Sequence, residues 1–122
     1  MDDLFRHEKL AVWQRAKTLT KELYILTRSF PADERFGLTS QIRRASGSVA
    51  HNIAEGNGRS SVRDKCRFLE IAYGSLLETV SELSLAVDLE FLTASQVEPF
   101  RREADEIARM IVGLRRRYER GD

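Results

Sequence analysis

His51 and Cys66 are the two residues of this chain whose side chains are considered first for chemistry. His51 stands four residues before Glu55, on one face of a helix and at a spacing that can hold a metal ion. A di-metal site in a helical bundle needs Glu-x-x-His pairs and further inward carboxylates. The sequence contains no such pair, and His7 is far from His51. We therefore expect a hydrogen-bonded or solvated His51 and predict no metal.

Nucleophilic and phosphate-loop chemistry are also disfavoured. Cys66 falls on an apolar helical stripe with no histidine placed to activate it, which predicts a buried thiol. Gly56 and Gly58 follow a helix rather than a strand and lack the lysine of a phosphate-binding loop, so they indicate a helix stop. The sequence predicts no enzyme, no cofactor and no small-molecule substrate; a catalytic site at a subunit junction is the least favoured alternative.

Basic residues are unevenly distributed along the chain. Residues 68–100 contain no lysine or arginine, and basic clusters bracket that stretch. In an antiparallel bundle the start of the third helix and the end of the fourth lie at one end, together with Arg6 and Lys9. This basic pole predicts nucleic-acid binding by eight side chains. They are Arg59, Arg63, Lys65, Arg67, Arg115, Arg116, Arg117 and Arg120.

The composition of the basic pole also predicts how it binds. Tyr118 is the one aromatic residue among these cations, so we expect little sequence preference and no need for unpaired bases. The alternative is that the terminal arginines only complement the negative end of a helix. Asp2 and Asp3 are among the acids that dilute the charge.

The apolar periodicity predicts four helices over residues 8–28, 38–55, 62–90 and from about 95 to 118. Capping boxes are expected at Ser61 with Asp64 and at Ser95 with Glu98. No segment alternates with a period of two. Short connections between long helices favour antiparallel neighbours. The predicted fold is all-α, an up-down-up-down antiparallel four-helix bundle forming one domain over residues 1–122.

The second predicted helix has three faces. One face is apolar, one is polar, and one consists of small residues, namely Gly47, Ala50 and Ala54. A surface helix needs one packing face, so the small-residue face predicts close contact with a second copy of the chain. Arg43 and Arg44 join this predicted oligomer interface, with Glu55, Glu70 and Glu78 as their expected partners.

Length and composition limit the remaining function classes. The chain has 122 residues, a formal charge of +1 and a single cysteine, which fits a reducing compartment. Its start has no apolar core of a signal peptide, and no run approaches the roughly 20 apolar residues of a membrane span. We expect a cytoplasmic protein with no membrane partner.

Short motifs throughout the chain resemble a known family. They are LAVW at 10–13, FP at 30–31, FGLTSQ at 36–41, RRA at 43–45, NIAEG at 52–56, GR at 58–59, FLEIA at 68–72 and GSL at 74–76. The family is the bacterial four-helix bundle proteins encoded in intervening sequences of large-subunit ribosomal RNA genes. The resemblance implies an up-down bundle that assembles as a ring-shaped homopentamer.

The resemblance also bears on partners and on motif positions. Family members are similar in fold to the basic accessory protein that partners a reverse transcriptase in retroelements, whereas this chain is near neutral. The resemblance supplies no catalytic residues. It implies a polar network that orients the second helix and the subunit contact, formed by Gln41, Arg43, Arg44, Asn52, Glu55 and Arg59.

Two functions therefore remain open. The first is a non-enzymatic homo-oligomer that binds RNA or DNA, or a protein acting on them, through the basic pole. The second is a structural or protein-interaction ring with no nucleic-acid role.

Overall fold

Four α-helices contain most of the chain in the computed structural model, which describes residues 4–121. They are α1, Ala11–Leu26; α2, Leu38–Asn57; α3, Val62–Asp88; and α4, Ala94–Arg120. Short 3-10 helices lie at Arg6–Lys9, Thr27–Ser29 and Ala32–Glu34. No strand occurs between residues 4 and 121. The all-α prediction is confirmed.

The start of α1 lies later than predicted. Leu10 has an extended backbone, with φ −77° and ψ 119°, and this separates the turn Arg6–Lys9 from α1. The first helix therefore begins at Ala11 rather than near residue 8. The separated turn is important because it places Arg6 and Lys9 on a segment that does not continue α1.

The caps of α3 and α4 show one correct prediction and one wrong one. Ser61 caps α3 as predicted, since its hydroxyl accepts the Asp64 N–H at 3.1 Å. The cap of α4 is Thr93 rather than Ser95, because the Thr93 hydroxyl accepts the Gln96 N–H at 3.1 Å. The Gln96 side chain in turn accepts the Thr93 N–H at 2.9 Å. Both halves of a capping box are thus satisfied two residues earlier than expected.

The predicted glycine stop of α2 is confirmed at Gly58, which caps the helix after Asn57, and is wrong at Gly56. Gly56 lies inside the helix, and the capping Gly58 has φ −84°, which is not left-handed. A Cβ at Gly56 would stand 3.0 Å from the Phe68 Cβ and 3.1 Å from the Lys65 carbonyl oxygen. Gly56 therefore allows the backbones of α2 and α3 to approach closely.

The end of α3 depends on a residue in the left-handed region. The helix ends at Asp88, two residues before the predicted end, and Glu90 has φ +63°. This turn lets the Phe91 N–H reach back to the Ala86 carbonyl at 2.9 Å, which satisfies one of the last free acceptors of the helix.

Contacts between helix ends show that successive helices are antiparallel. Arg43, near the start of α2, donates to the carbonyl of Tyr24, near the end of α1, at 3.2 Å. Lys65, at the start of α3, donates to the carbonyl of Asn57, at the end of α2, at 2.8 Å. The Lys65 ammonium also lies 4.8 Å from the ring centre of Tyr118, in the last turn of α4. These pairings are those of an up-down-up-down bundle.

All four helices contribute to one hydrophobic core. Its largest fully buried hydrophobic side chains are Leu19, Leu23, Ile42, Ile53, Leu69, Leu76, Leu83, Ile107 and Val49. Two apolar residues of α3 lie outside the core and are exposed, Val62 by 44% and Tyr73 by 36%. They lie at the flank of α3 that borders α4, where the helix surface turns away from the core.

Candidate functional site

Three parts of the chain form the basic pole. The separated turn Arg6–Lys9 contributes Arg6, the start of α3 contributes Lys65, and the end of α4 contributes Tyr118. These side chains are close together, since Arg6 acts electrostatically on Lys65 and Lys65 lies over the Tyr118 ring. The fold thus places in one region cations that lie more than fifty positions apart in the sequence.

The cations surround the end of the bundle in two further groups. Arg63, Arg67 and Arg115 line a surface depression at the α3–α4 junction. A second depression, beside the start of α1, is lined by Arg116, Arg117 and Arg120. The eight predicted residues therefore encircle the pole rather than forming one flat patch.

The arginines of the pole differ in how their charge is compensated. Arg115 pairs with Glu70 at 3.2 Å, and the hydrogen bond from Arg115 to Glu70 raises the pKa of this arginine. No ion pair within residues 4–121 reaches Arg63, Arg116 or Arg117. These three guanidinium groups are the ones most available to an external anion.

The ring of Phe68 contacts two further cations near the start of α3. The guanidinium carbons of Arg59 and Arg67 lie 4.6 and 4.8 Å from the centre of its ring. Phe68 itself is only 8% exposed. Both arginines are thus held at the surface by cation–π contact, and their ring is not available for base stacking.

Net charge is segregated between the pole and the rest of the chain. Residues 6–9, 59–67 and 115–120 contain ten lysines and arginines against three acids, although the whole chain has a formal charge of +1. The remainder of the sequence is therefore acidic on balance. Asp2 and Asp3, which the sequence places near this pole, lie outside the described residues.

A pocket of about 670 Å³ opens at the centre of the basic pole. We call it the polar pocket. It is lined by Leu4, Phe5, Arg6, His7, Ala54, Asn57, Gly58, Arg59, Ser60, Lys65 and Tyr118. Sequence reasoning missed this pocket because its walls come from distant segments, and only Arg6, Arg59, Lys65 and Tyr118 had been assigned to the pole. No local signal marks the contribution of Phe5 or Asn57.

The predicted oligomer interface is largely occupied within the chain. Ala50 is 5% exposed and belongs to the core, and a Cβ at Gly47 would face Thr20 of α1. Ala54 is half-buried and lines the polar pocket. Ala50 therefore packs inside the same chain, which removes the support that it lent to self-assembly.

Arg43 and Arg44 have different environments. Arg43 donates to the Thr27 hydroxyl at 3.0 Å and lies 4.7 Å over the Tyr24 ring, so it joins α2 to the end of α1. Arg44 is exposed, and its charge acts on Glu82. Glu55, Glu70 and Glu78 were expected as partners within the chain or on a neighbouring copy, and within residues 4–121 of one chain no ion pair joins Arg43 or Arg44 to them.

The polar network implied by the resemblance is divided into separate contacts. Asn52 donates to the Ser48 hydroxyl at 2.9 Å, and Ser48 is joined to Ser75 of α3 at 2.9 Å. Glu55 pairs with Arg59 at 3.8 Å on the surface. Because Arg43 contacts α1, the motif positions stabilise two different helix contacts rather than one network.

The residues first considered for chemistry do not form a reactive cluster. His51 is exposed and Cys66 is buried with a free thiol, as predicted for Cys66. Within residues 4–121, no three His, Cys, Asp or Glu side chains are grouped so that they could hold a metal ion. None of the helices in that part of the chain has the length and apolar character needed to cross a membrane.

The flank of α3 beside α4 exposes an apolar face. It consists of Tyr73, Leu77 and Val112, which are 36%, 55% and 39% exposed. Two depressions of about 280 and 230 Å³ share Tyr73 as a lining residue. The face is therefore continuous along the α3–α4 junction.

Comparison with known proteins agrees with this fold. A structure of a protein of unknown function from the S23 ribosomal protein family of Bacteroides thetaiotaomicron is similar, with a TM-score of 0.76 and 23% identity. The likeness covers 86% of this chain and 98% of that one, and at this identity it concerns the fold alone. No curated protein matches the chain.

The family assignment rests on most of the sequence. The model of the 23S rRNA-intervening sequence protein family matches residues 8–113. The match includes the cations at 59–67 and ends before those at 115–120. The chain belongs to the 23S rRNA-intervening sequence protein family.

Proposed function

We propose that this protein is a non-enzymatic four-helix bundle that binds RNA or DNA through the basic pole. The observation that supports this most is the presence there of guanidinium groups without an acidic partner among residues 4–121, at Arg63, Arg116 and Arg117. Arginines that contact phosphates release condensed counterions. Arginines without an ion pair gain this free energy without first breaking one.

The aromatic residues of the basic pole support binding with little sequence preference. Tyr118 is 7% exposed and is covered by Lys65, and Phe68 is 8% exposed beneath Arg59 and Arg67. Neither ring is free to stack along a run of bases. Contacts to phosphates therefore dominate, and phosphates carry no direct sequence information.

A charge-removal experiment tests this proposal. The triple variant Arg63→Ala, Arg116→Ala, Arg117→Ala is titrated against labelled RNA and DNA, single-stranded and duplex, by fluorescence anisotropy. We expect the wild-type affinity to fall steeply between about 50 and 200 mM salt, and the variant to lose about two to three units of the salt slope. At the lower salt the variant should bind at least about tenfold more weakly.

The matched control removes three arginines from elsewhere on α4. Arg101 and Arg102 pair with Glu98 at 3.0 and 3.2 Å, and Arg109 pairs with Asp105 at 3.2 Å. Their triple alanine variant lowers net charge equally and should keep its salt slope. If the wild type binds no nucleic acid at about 50 mM salt, the proposal is rejected in favour of a structural or protein-interaction ring.

We also propose that the chain assembles with copies of itself, and the number five comes from the family resemblance alone. The apolar face of α3 and α4 supports assembly because contiguous exposed apolar patches are a feature of protein–protein contacts. Both signs of charge border it, with Arg101 and Asp105 lining one depression and Glu70 and Arg115 the other. Such a border complements a second copy of the same chain. A closed ring would repeat the basic pole in every subunit.

A further inference from the structure

The polar pocket has walls from four parts of the chain. These are the segment before α1, the end of α2, the start of α3 and the last turn of α4. Its volume of about 670 Å³ lies within the usual range of small-ligand sites. Since it is an open depression formed by separate elements rather than a groove along one helix, it suits a compact group or the end of a chain.

Hydrogen-bond donors in the polar pocket exceed the protein acceptors directed at them. Arg6, Arg59 and Lys65 line it, and no acidic side chain is among its described lining residues. Lys65 uses one proton on the Asn57 carbonyl at 2.8 Å, and an ammonium carries three. Arg59 has a distant partner, Glu55, at 3.8 Å. Several charged donors are therefore left for an external acceptor.

Lys65 shows the effect of this imbalance most clearly. Burial first, and then the neighbouring positive charge of Arg6, lower the pKa of Lys65. A bound anion would favour the charged form of Lys65 and so act against this lowering of the pKa, because it would supply a negative charge beside the ammonium. The negative end of α2 also points here through Asn57, but its partial charge of about half a unit is small beside three cationic side chains.

An aromatic ring stands at the rim of the polar pocket. Phe5 is 63% exposed and stacks on His7 with ring centres 6.2 Å apart. An exposed phenylalanine beside a cationic pocket offers a platform for one flat ring. The sequence placed Tyr118 as the one aromatic residue in the basic pole. Phe5 is a second aromatic residue there, which had not been assigned to the pole.

We propose that the polar pocket binds a nucleotide 5′-phosphate monoester through Arg6, Arg59 and Lys65, with the base of that nucleotide on Phe5. A monoester has three terminal oxygens and a charge near −1.5 to −2 at pH 7, which matches several charged donors better than a phosphodiester does. The ligand comes either from the phosphorylated 5′ end of a strand or from a free mononucleotide. In the first case the inference rests on the proposed function and names the part of the nucleic acid that is recognised.

The test compares short single-stranded RNAs that differ only at the 5′ end. The 3′-labelled strands carry either a 5′-phosphate or a 5′-hydroxyl and are titrated by anisotropy, and adenosine 5′-monophosphate is titrated by calorimetry. We expect the 5′-phosphate to strengthen strand binding about tenfold, the equivalent of one charge-assisted hydrogen bond. Unlabelled adenosine 5′-monophosphate should compete for this gain, and adenosine should not.

Two variants test the pocket itself, with a matched control. Lys65→Gln keeps a donor for the Asn57 carbonyl but removes the charge, and Arg6→Gln changes an exposed residue that poses little risk to folding. Both should abolish the preference for the 5′-phosphate. Lys9→Gln removes one charge from the same basic pole outside the pocket lining and should retain it. Thermal melting confirms that each variant is folded.

The outcomes separate this inference from the proposed function. Equal binding of both strands, with no binding of the mononucleotide, overturns the pocket and leaves nucleic-acid binding by the pole intact. Binding of the mononucleotide, with neither strand bound, supports the pocket and rejects the proposed function. If neither the strands nor the mononucleotide bind, both are rejected. A preference that survives in Lys65→Gln and Arg6→Gln places the phosphate elsewhere and also overturns the inference.

Discussion

Glu82 is the acidic residue whose surroundings differ most from water. Its Oε1 is buried and has no hydrogen-bond partner within the described residues. Burial first, and then the nearby charge of Glu78, raise the pKa of Glu82 to about 7, while Arg44 opposes the shift. The folded protein is therefore more stable when the Glu82 carboxyl group is protonated than when it is ionised.

This environment predicts a specific dependence of stability on pH. A raised pKa in the folded state means that ionisation of Glu82 opposes folding, so stability is lost as the pH rises from 4.5 towards 7. Glu82→Gln should match the wild type near the lower pH and exceed it by about 2 kcal/mol above pH 7, a value reduced because the residue remains partly exposed. Urea unfolding across this range measures the difference. A gap between the two proteins that does not change with pH would contradict the assignment.

At the scale of the helices, α2 is the element that organises the bundle. Its apolar stripe enters the core, Gly56 allows close approach to α3, and Gly47 faces Thr20 of α1 at ordinary contact distance. Arg43 secures it to the end of α1. The two-sided packing that the sequence indicated is thus present, and both sides are used inside the chain.

The contact between α2 and α3 predicts a difference between two glycines. Gly56→Ala should lower the free energy of unfolding by about 1–3 kcal/mol, because the new methyl group would overlap Phe68 and the Lys65 carbonyl. Gly74→Ala is the control, since nothing lies within 4 Å of its Cβ. In the middle of α3 it should be stabilising by up to about 1 kcal/mol. Chemical unfolding of both variants measures this, and equal effects would show that Gly56 has no packing role.

At the scale of the whole molecule, the described residues form two surfaces suited to partners, the basic pole and the apolar face. The basic pole gathers ten of the chain's 20 lysines and arginines. The apolar face beside α4 runs along the side of the bundle. Since the two surfaces occupy different parts of the molecule, assembly through the face leaves the pole open to an anionic partner.

The assembly proposal predicts that charge on the apolar face will disrupt oligomers. Leu77→Asp should shift the protein towards the monomer, because Leu77 is 55% exposed within this face and a buried unpaired carboxylate is costly. Ile25→Asp is the matched control, since Ile25 is 51% exposed on α1. Light scattering and sedimentation measure the mass of each. A wild-type monomer at micromolar concentration would end the proposal, and equal effects of both variants would place the contact elsewhere.

The regular features of the fold could be predicted because they depend on local order in the sequence. The positions of the four helices, the buried Cys66 and the cap at Ser61 follow from apolar period and from neighbouring residues. Helix ends were less predictable, since Thr93 and Ser95 are both good caps and only the course of the backbone chooses between them. The basic pole could also be predicted, because an antiparallel bundle brings the start of the third helix and the end of the fourth together.

The sequence by itself determined the helices, the core stripe and the segregation of charge, because each of these is a periodic or compositional property of neighbouring residues. Tertiary structure alone decided which small residues face another helix of the chain, which arginines form an ion pair with an acidic side chain, and where a pocket opens. Those outcomes depend on distances between residues far apart in the sequence. For that reason Ala50 became a core residue, Glu82 acquired one buried carboxyl oxygen, and Phe5 and Lys65 came to line the same polar pocket.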